Sequence, residues 1–325
     1  MVKISTLTTA LGSFIAIVLA AFIAMGWFGE GIDTANYIRI FDEINVVRGI
    51  WDLRYEPLFV LFVQTFSSSA TNPAWIFFTI TATSLLTKVS AVRLVCGNGL
   101  VFLVSYFSVW APTFELNQIR AALALAVLLL IISVPLQSAM VVVLLTPLTL
   151  GLHYSMIGPI AVVWVYFLIA SNLSFLKKMS IISAVIILGA FLNHFLVSRH
   201  ASYLEAVSQS MAAGGERLFS YFSVYVILVT VFSTIYLLRR GLTDAPQSIV
   251  IAALSAIGGI LIFFYQTWTE GLYAYRILET MTSFLPITLA WIWGQSRNSI
   301  WKVGTVFLIV VGLAIAPGYW ASRVV

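Results

Sequence analysis

The sequence predicts an all-α polytopic membrane protein, a single integral membrane domain over residues 1–325 with about eleven or twelve transmembrane helices. Hydrophobic residues make up 61% of the chain and charged residues 9%, whereas soluble domains are about 45–50% apolar and about 25% charged. Mean hydropathy is +1.03. Apolar stretches of roughly 17–25 residues, the length that a helix needs to cross about 30 Å of hydrocarbon, recur along the chain.

The helices are predicted in chain order from these apolar stretches. The first, at about 7–28, follows Lys3 and has no clear cleavage site of small residues, so we interpret it as a retained helix and not as a signal peptide. Polar segments at 29–55 and 199–217 are the two long loops. The other predicted spans lie at about 73–92, 98–113, 117–135, 138–152, 154–172, 179–198, 218–238, 247–267, 275–294 and 301–320.

Residues 56–70 form an apolar stretch of only about fifteen residues. A stretch of this length fits three alternatives: it crosses the membrane, it re-enters it, or it lies along its interface. With the N-terminus inside and no crossing, nine Lys and Arg, including all five Lys, are cytoplasmic and eight are outside. A crossing with the same start gives six inside and eleven outside, and a crossing with an outside start gives the reverse. We prefer a short re-entrant or interfacial segment, because both long loops, Arg120, His153 and Arg276 then share the outer, periplasmic face.

The charge pattern and the missing motifs exclude several classes of function. The net charge is +5, and basic residues occur in pairs between apolar runs, which is typical of topology signals, so we expect no nucleic-acid partner. The single cysteine, Cys96, excludes an internal disulfide and a Cys-rich metal site. The sequence has no His-Glu-x-x-His, Gly-x-Ser-x-Gly, Walker A or Asp-rich metal motif, which disfavours a metal-dependent or ATP-driven mechanism. We therefore expect no metal and no cofactor.

Ionisable residues at membrane depth cost several kcal/mol unless they are paired or solvated, so each is a candidate for function. Asn117 and Arg120 lie three residues apart and share a helix face with Ala121 and Ala124. Small alanines let a neighbouring helix approach closely, and the planar guanidinium of Arg120 can bind two oxygens of a diphosphate at once. The competing interpretation is an interfacial arginine that extends to lipid headgroups.

Two further polar positions interrupt the apolar pattern. Arg276 follows an aromatic-rich turn with Tyr273, but it can simply pair with Glu279 on its own helix, and Tyr273 fits an interfacial aromatic belt. His153 is a polar break in a hydrophobic stretch, where a histidine is either a hydrogen-bonded structural group or a functional one. Its predicted position on the same face as Arg120 favours function.

The first long loop contains two more candidates, although most of its charges are expected only to solvate it. Asp33 and Tyr37 lie four residues apart, so a short helix would place them side by side. Glu56 stands where the chain turns back toward the bilayer. Partial desolvation there would make its carboxylate a candidate general base.

Taken in chain order, these elements resemble the Wzy/EpsG-type polysaccharide polymerases of bacterial envelopes. The matching elements are Asp33-x-x-x-Tyr37, Glu56-Pro57-Leu58-Phe59, Asn117-Gln118-Ile119-Arg120-Ala121-Ala122-Leu123-Ala124, His153-Tyr154-Ser155 and Tyr275-Arg276-Ile277. The Asn-Gln-x-Arg-x-x-x-Ala element is the most specific, and the resemblance covers roughly residues 30–280. One departure is Ala121, where the family often has Gln, which removes a hydrogen-bond donor but not the charge of Arg120.

The resemblance implies a fold similar to the C-type membrane glycosyltransferases, in the bacterial inner (cytoplasmic) membrane with the active site facing the periplasm. The expected reaction polymerises undecaprenyl-diphosphate-linked oligosaccharide repeat units into O-antigen, as in lipopolysaccharide biosynthesis, or into a related exopolysaccharide. The energy lies in the donor bond, so no nucleotide, metal or other cofactor is implied. Membrane lipid, a chain-length regulator and a flippase are the other implied partners.

The resemblance also suggests a role for each site residue. Arg120 and Arg276 would bind the diphosphate, because fixed cations stabilise the charge that develops on the leaving group. Glu56 is the first candidate for the base that deprotonates the acceptor hydroxyl, with His153 or Asp33 next. The 199–217 loop would cover the growing chain. Residues expected to orient sugars or phosphate oxygens are Asn117, Gln118, Tyr37 and Tyr273.

Three other activities fit the same pattern. A transporter or flippase of lipid-linked oligosaccharide would also place arginines in a hydrated cavity, although the chain shows no internal repeat. An O-antigen ligase-like transferase would use the same diphosphate site with a different acceptor. A membrane acyltransferase centred on His153 would need a cavity that opens toward the cytoplasm.

Overall fold

The computed structural model describes residues 2–27, 33–46, 55–67, 72–134, 139–170, 216–267 and 272–321. These ranges are largely helical and contain no strand, as the sequence predicts. The α-helices are α1 (Val2–Ala24), α2 (Thr34–Val46), α3 (Pro57–Ser67), α4 (Pro73–Val95), α5 (Gly99–Val109), α6 (Ile119–Ser133), α7 (Ala139–Leu145), α8 (Ile157–Ala170), α9 (Glu216–Arg240), α10 (Gln247–Thr267), α11 (Leu272–Thr282), α12 (Leu285–Gln295) and α13 (Ser299–Ala321). A π-helical segment covers Pro112–Asn117, and 3-10 turns cover Thr146–Thr149, Tyr154–Met156 and Leu242–Asp244.

The apolar helices agree with the predicted spans. Each predicted span except 179–198, which lies outside the described residues, coincides with one or two helical segments. Four described helices are long and apolar enough to cross a membrane, namely Pro73–Val95, Tyr221–Arg240, Gln247–Tyr265 and Ser299–Gly318. Shorter apolar helices cover Thr8–Ala24, Pro57–Ser67, Gly99–Val109, Ile119–Ser133 and Tyr154–Ile169.

Prolines mark the places where a predicted span is broken. Pro112 opens the π-helical segment between α5 and α6, Pro147 lies in the 3-10 turn after α7, and Pro286 lies in the first turn of α12. Proline has no N–H and its ring clashes with the preceding turn, so a regular helix is interrupted there. The apolar pattern continues across the break before Pro286, which is why the sequence predicted one helix over 275–294 where the structure has two.

Helix α13 carries an exposed apolar stripe along one side. Its exposed side chains Ile300, Val303, Phe307 and Val310 recur at a spacing of three or four residues. Only 22% of its membrane-length window is buried inside the protein. A continuous apolar stripe of this kind needs a hydrocarbon or protein partner rather than water. The stripe therefore agrees with a helix at the rim of a membrane bundle.

The bundle has two ends, which helix α4 connects. In its first turns, Phe77 packs against the rings of Tyr37 and Phe41 in α2, with ring centroids 6.2 and 5.2 Å apart. Beyond its last turn, the Gly97 carbonyl accepts a hydrogen bond from Thr8 Oγ1 of α1 at 3.1 Å. We call the end that holds α2 the loop end and the end that holds Gly97 the far end.

Helix α3 begins and ends at the loop end. Its 11 residues rise only about 16 Å, whereas the hydrocarbon layer is about 30 Å thick. Ser67 in its last turn hydrogen-bonds Asn45 of α2, and α4 then starts at Pro73 beside α2. The segment 56–70 therefore does not cross the bundle, as the preferred topology predicts, although residues 68–70 lie outside the described part.

The first predicted loop, 29–55, contains helix α2, with one face buried against the bundle. The Tyr37 amide donates to the Asp33 carbonyl at 2.9 Å, so the short helix expected from their spacing is present. Of the second predicted loop, 199–217, only Glu216 and Arg217 lie in the described ranges, where they begin α9.

Lys88 does not lie at a membrane flank, where the charge count placed it. It lies inside α4 with 1% of its side chain exposed and forms an ion pair with Glu115 of the π-helical segment. That prediction was wrong because a lysine near the end of an apolar run resembles a flank, whereas its carboxylate partner comes 27 residues later. Without Lys88, the two sides of the preferred topology carry eight basic residues each, so the count no longer favours it.

Candidate functional site

Three polar side chains from three separate segments meet at the loop end. The Glu56 carboxylate lies between the other two, because Arg120 Nη1 donates to its Oε2 at 2.6 Å and His153 Nδ1 lies 2.8 Å from its Oε1. The backbone amide of Tyr154 also donates to Oε1, at 3.4 Å. The Glu56 side chain is 3% exposed, whereas those of Arg120 and His153 are each 21% exposed. The two flanking groups can therefore contact a ligand that the carboxylate cannot reach.

The first turn of α3 is docked on the turn that carries His153. The Gly151 carbonyl accepts hydrogen bonds from the amides of Leu58 and Phe59, at 2.8 and 3.2 Å, which satisfies two donors that the first turn of a helix leaves unpaired. A Cβ at position 151 would lie 2.7 Å from Leu58 Cγ, so only glycine allows this approach. Since Glu56 and His153 each lie two residues from this junction, Gly151 fixes the distance between them.

Arg120 is placed by the change from π-helical to α-helical geometry just before it. The Gln118 amide donates to the Thr113 carbonyl, five residues back, at 2.8 Å, and α6 begins at Ile119. Such π turns occur frequently at functional sites. A cation in the first turn of a helix is disfavoured by the helix dipole, and the ion pair with Glu56 offsets that cost.

The guanidinium of Arg120 lies among three aromatic rings, those of Tyr37, Tyr55 and Phe59, with its Cζ 5.7–5.8 Å from each ring centroid. Such contacts favour a cation. Arg120 Nε is buried and has no hydrogen-bond partner among the described residues. A buried donor without a partner is uncommon and costly, so part of the hydrogen-bonding capacity of this guanidinium is unused among the described residues.

Electrostatics keep the Glu56 carboxylate ionised. Burial raises its pKa, but the charge of Arg120 and the hydrogen bond and charge of His153 outweigh burial and lower the pKa to about 2. The sequence suggested a desolvated Glu56 with a raised basicity. In the structure the same carboxylate is desolvated but paired, which makes it a weak base and a strong hydrogen-bond acceptor.

Two tyrosines beside Arg120 are neutral donors. Burial raises the pKa of Tyr37, even though Arg120 beside it acts in the opposite direction. Burial and the neighbouring Glu43 raise the pKa of Tyr55 to about 12, and the Tyr55 hydroxyl donates to Glu43 Oε2 at 2.7 Å. Both hydroxyls therefore keep their protons at neutral pH.

Three more predicted site residues lie next to this cluster. Asn117 connects the π-helical segment to the first loop, because its Oδ1 accepts from the Asp33 amide at 3.4 Å while its Nδ2 donates to the Pro112 carbonyl at 2.8 Å. Gln118 follows it at the start of α6 and is partly exposed. Asp33 and Asn117 therefore lie at the same end of the bundle as Arg120, as predicted.

The side chains of Tyr273 and Arg276 lie outside the described residues, but the backbone of α11 is described from Leu272. Two hydrogen bonds join α11 to the chain around the π-helical segment. Trp110 Nε1 donates to Thr282 Oγ1 at 3.5 Å, and Thr113 Oγ1 donates to Glu279 Oε1 at 3.4 Å. Because the later residue of one chain segment pairs with the earlier residue of the other, the two segments run antiparallel. Continuing this register toward the start of α11 places the backbone of residue 276 level with Leu116, next to Asn117. Helix α11 also contacts the 3-10 turn after His153. The meeting of the two guanidiniums stays a prediction.

Sequence reasoning missed a second buried cluster, centred on the Lys88–Glu115 ion pair. Lys88 Nζ donates to Ser84 Oγ and to the Tyr106 hydroxyl at 2.9 Å each, and Glu115 Oε1 accepts from Ser84 and Tyr106 at 3.1 Å each. The signal that could have found it is the presence of one cation and one anion inside neighbouring apolar runs. The cluster ties α4 and α5 to the π-helical segment that precedes Arg120.

The described residues offer few possible ligands for a metal ion. Among the described residues, no three His, Cys, Asp or Glu side chains lie close enough to hold a metal ion together. Glu56 and His153 supply one oxygen and one nitrogen, and the third group at this site is a guanidinium, which cannot ligate a cation.

The fold and the site together define a polytopic helical membrane protein with a cation, a carboxylate and an imidazole clustered at one end of its bundle. The chain belongs to the EpsG family, which matches over residues 9–321. This is a family of Wzy-like polysaccharide polymerases. The family predicted from five sequence elements is therefore confirmed. The protein is polysaccharide polymerase-like. Comparison with curated proteins and with solved structures gives no match.

Proposed function

We propose that the protein is a glycosyltransferase that polymerises undecaprenyl-diphosphate-linked oligosaccharide repeat units into O-antigen or a related surface polysaccharide. Family membership supports the polymerase activity. The observation that carries the proposal is Arg120, a partly exposed guanidinium whose buried Nε–H has no partner among the described residues, beside a glutamate–histidine pair.

The leaving group is the first part of the proposed reaction. The bond between the anomeric carbon of the growing glycan and its diphosphate breaks, and the bonding electrons stay on the diphosphate oxygen. The exposed part of the Arg120 guanidinium would donate to that oxygen, and a donor held in place before the reaction stabilises developing charge without a reorganisation cost. Arg276 would supply a second cation from α11.

The acceptor is the second part. A hydroxyl of the next lipid-linked unit attacks the anomeric carbon, and its proton moves to a base. His153 becomes the first candidate for that base, because Glu56 occupies Nδ1 and leaves Nε2 for the hydroxyl. Glu56, with its pKa lowered to about 2, would hold the imidazole in place rather than accept the proton, and Asp33 remains a further candidate.

The neutral polar groups around the cluster would orient the two substrates. Gln118, which is partly exposed, would bind sugar hydroxyls or phosphate oxygens, and we assign the same role to Tyr273. Tyr37 and Asn117 are buried, so they would orient the substrates through Arg120 and the first loop. The 199–217 loop keeps its proposed role as a cover over the growing glycan. No step of this scheme needs a nucleotide or a metal ion, so we propose a metal-independent transferase.

We further propose that the loop end faces the periplasm from the bacterial inner membrane. Exposed basic residues concentrate at the far end of the described bundle, and cytoplasmic flanks carry an excess of Lys and Arg. These residues are Arg93, Arg239, Arg240, Arg297 and Lys302. At the loop end, by contrast, the exposed Arg39 pairs with Glu43 at 3.5 Å.

The proposal is tested with purified protein in vesicles that contain lipid-linked repeat units isolated from the native host. The wild-type protein should extend the units into a ladder of glycans and release undecaprenyl diphosphate, and Arg120→Ala should abolish both. Arg39→Ala is the matched control, because Arg39 is an exposed loop-end arginine outside the site. Units that change membrane leaflet without extension would identify a flippase, and transfer of a finished chain to a different acceptor would identify a ligase.

A further inference from the structure

A cleft of about 500 Å³ lies at the far end, between the last turn of α9, the last turn of α12 and the first turn of α13. It belongs to none of the groups used in the proposed reaction. Its volume falls in the range of small-molecule sites, which is about 300–1,000 Å³. The residues that line it are Tyr236, Arg239, Arg240, Gln295, Ser296, Arg297, Asn298 and Trp301.

The charge of the cleft is unbalanced. Arg239, Arg240 and Arg297 line it, and no carboxylate is among the described residues of its wall. The site at the loop end differs, because there Glu56 neutralises Arg120. Three guanidiniums without a carboxylate create a positive potential that attracts an anion, and their planar groups bind phosphate oxygens in pairs.

The start of α13 adds to this potential. Asn298 Oδ1 accepts from the Ile300 amide at 2.9 Å, so the helix begins at the wall of the cleft. Helix N-termini carry partial positive charge and favour phosphate groups. This feature supports the three arginines and does not define the site by itself.

Neutral groups orient one of the three guanidiniums. Arg240 Nη1 donates to the Tyr236 hydroxyl and to the Gln295 carbonyl, and Nη2 donates to Gln295 Oε1, all at 3.4 Å. Its Cζ also lies 5.8 Å from the centroid of the Trp291 ring. These contacts place the cation but leave its charge uncompensated, so it stays available to an anionic ligand.

Aromatic rings form the membrane side of the cleft. The Trp301 ring lies 5.0 Å from the Tyr236 ring and 5.2 Å from the Phe232 ring. Tryptophan and tyrosine concentrate at the level of lipid headgroups. Below them, exposed apolar residues such as Val303 and Ile235 continue along α13 and α9. The cleft therefore has a cationic mouth above an apolar surface, which fits an amphiphile with a phosphate headgroup.

We propose that this cleft is a second binding site, for the phosphate group of an anionic phospholipid, at the opposite end of the bundle from the polymerase site. A soluble phosphate-bearing ligand has the same binding chemistry, and the experiment distinguishes the two sources. The site is independent of the proposed reaction, because none of its residues takes part in that reaction. Basic residues at the end of a transmembrane helix usually attract lipid headgroups without a fixed site. The proposed site instead binds one ligand in a defined place.

The test uses the full-length protein in a neutral detergent. Native mass spectrometry counts bound lipid, and the midpoint of thermal unfolding is measured with phosphatidylglycerol, with phosphatidylcholine and with inorganic phosphate. The variants are Arg240→Gln/Arg297→Gln and the single Arg297→Gln, which guards against a folding defect in the double variant. Arg93→Gln is the matched control, since Arg93 is an exposed far-end arginine outside the cleft.

The expected result is one retained phosphatidylglycerol that raises the unfolding midpoint of the wild type and of Arg93→Gln. Its affinity should fall about tenfold for each arginine removed from the cleft, as hydrogen bonds to charged groups are lost. If inorganic phosphate alone gives the same dependence on the variants, the ligand is a soluble phosphate. Equal effects of the two lipids, or equal effects of phosphatidylglycerol on all the proteins, would overturn the proposal.

Discussion

His153 Nδ1 lies 2.8 Å from Glu56 Oε1, and this contact sets which ring nitrogen is available to a substrate. Because Glu56 is ionised, its carboxylate accepts a hydrogen bond from a protonated Nδ1. In a neutral imidazole the other nitrogen, Nε2, then carries the lone pair. In the proposed reaction, Glu56 is a positioning residue and His153 is the catalytic residue.

Replacing His153 should therefore lower the rate of glycan extension more than replacing Glu56 does. We expect His153→Gln to lower the initial rate of glycan extension by a factor on the order of 10²–10⁴, which is the usual contribution of a general base. Glu56→Gln should have a smaller effect on the rate and should shift its pH profile, because the tautomer is no longer fixed. Glu43→Gln, which alters a loop-end carboxylate bound to Tyr55, is the control. A wild-type rate from His153→Gln would contradict the assignment.

The paired Glu56 also predicts how stability depends on pH. Its pKa is lowered from 4.5 to about 2 in the folded protein, so the unfolded chain binds its proton at a higher pH than the folded chain does. The stabilisation is therefore complete above about pH 4.5 and is lost as the pH falls toward about 2. The midpoint of thermal unfolding in detergent measures this. The difference between wild type and Glu56→Gln should shrink over that pH range, and a constant difference would contradict the ion pair.

Arg120→Lys tests whether the shape of the cation matters as well as its charge. Lysine keeps the charge but has no equivalent of the Nε–H and cannot bind two oxygens in parallel. We expect kcat for extension to fall about a hundredfold, as when one donor to a developing oxyanion is removed. The initial rate with isolated lipid-linked units is the measurement. Arg39→Lys, at an exposed loop-end arginine, should leave that rate unchanged.

A double-mutant cycle tests whether Arg120 and Arg276 act on the same diphosphate. Residues that share one ligand give coupled effects, whereas distant residues give additive ones. We expect the rate loss in Arg120→Lys/Arg276→Lys to be smaller than the product of the two single losses. Rates for the four proteins, measured under one set of conditions, provide the answer. Independent effects would mean that the two guanidiniums do not meet.

The buried Lys88–Glu115 pair predicts a stability effect with a specific rescue. Lys88→Met leaves a carboxylate buried without its cation, which costs about 3–5 kcal/mol, whereas replacing both partners by apolar residues is often neutral. Lys88→Met should therefore unfold at a lower temperature, and Lys88→Met/Glu115→Leu should recover most of the loss. Lys302→Met, at an exposed far-end lysine, is the control. A double variant as unstable as the single one would contradict the pairing.

The fold was largely predictable because composition and the length of apolar runs report directly on the membrane. The 11-residue α3 was also within reach, since a stretch of that length cannot span the hydrocarbon. The break before Pro286 was not predicted, because the apolar pattern continues through it. Lys88 was misplaced for a similar reason, since sequence position does not reveal a partner from another helix.

At the candidate site, polar residues inside apolar runs identified Arg120 and His153, and the turn back toward the bilayer identified Glu56. What the sequence could not supply is the order of the three groups. Placing the carboxylate between the guanidinium and the imidazole depends on how Gly151 approaches Leu58, a contact between segments that are far apart in the chain. That order transfers the proposed basic role from Glu56 to His153.

The π-helical segment Pro112–Asn117 has a consequence for how the chain tolerates deletions. Its hydrogen bond from Gln118 to Thr113 spans one residue more than an α-helical bond would. Loss of one residue from this segment would restore regular α-helix, because the extra residue is accommodated inside the π turn. Helix α6 would keep its length and its orientation, and Arg120 would still face Glu56. A deletion inside α6 itself has no extra residue to remove and would turn every later residue of that helix by about 100°.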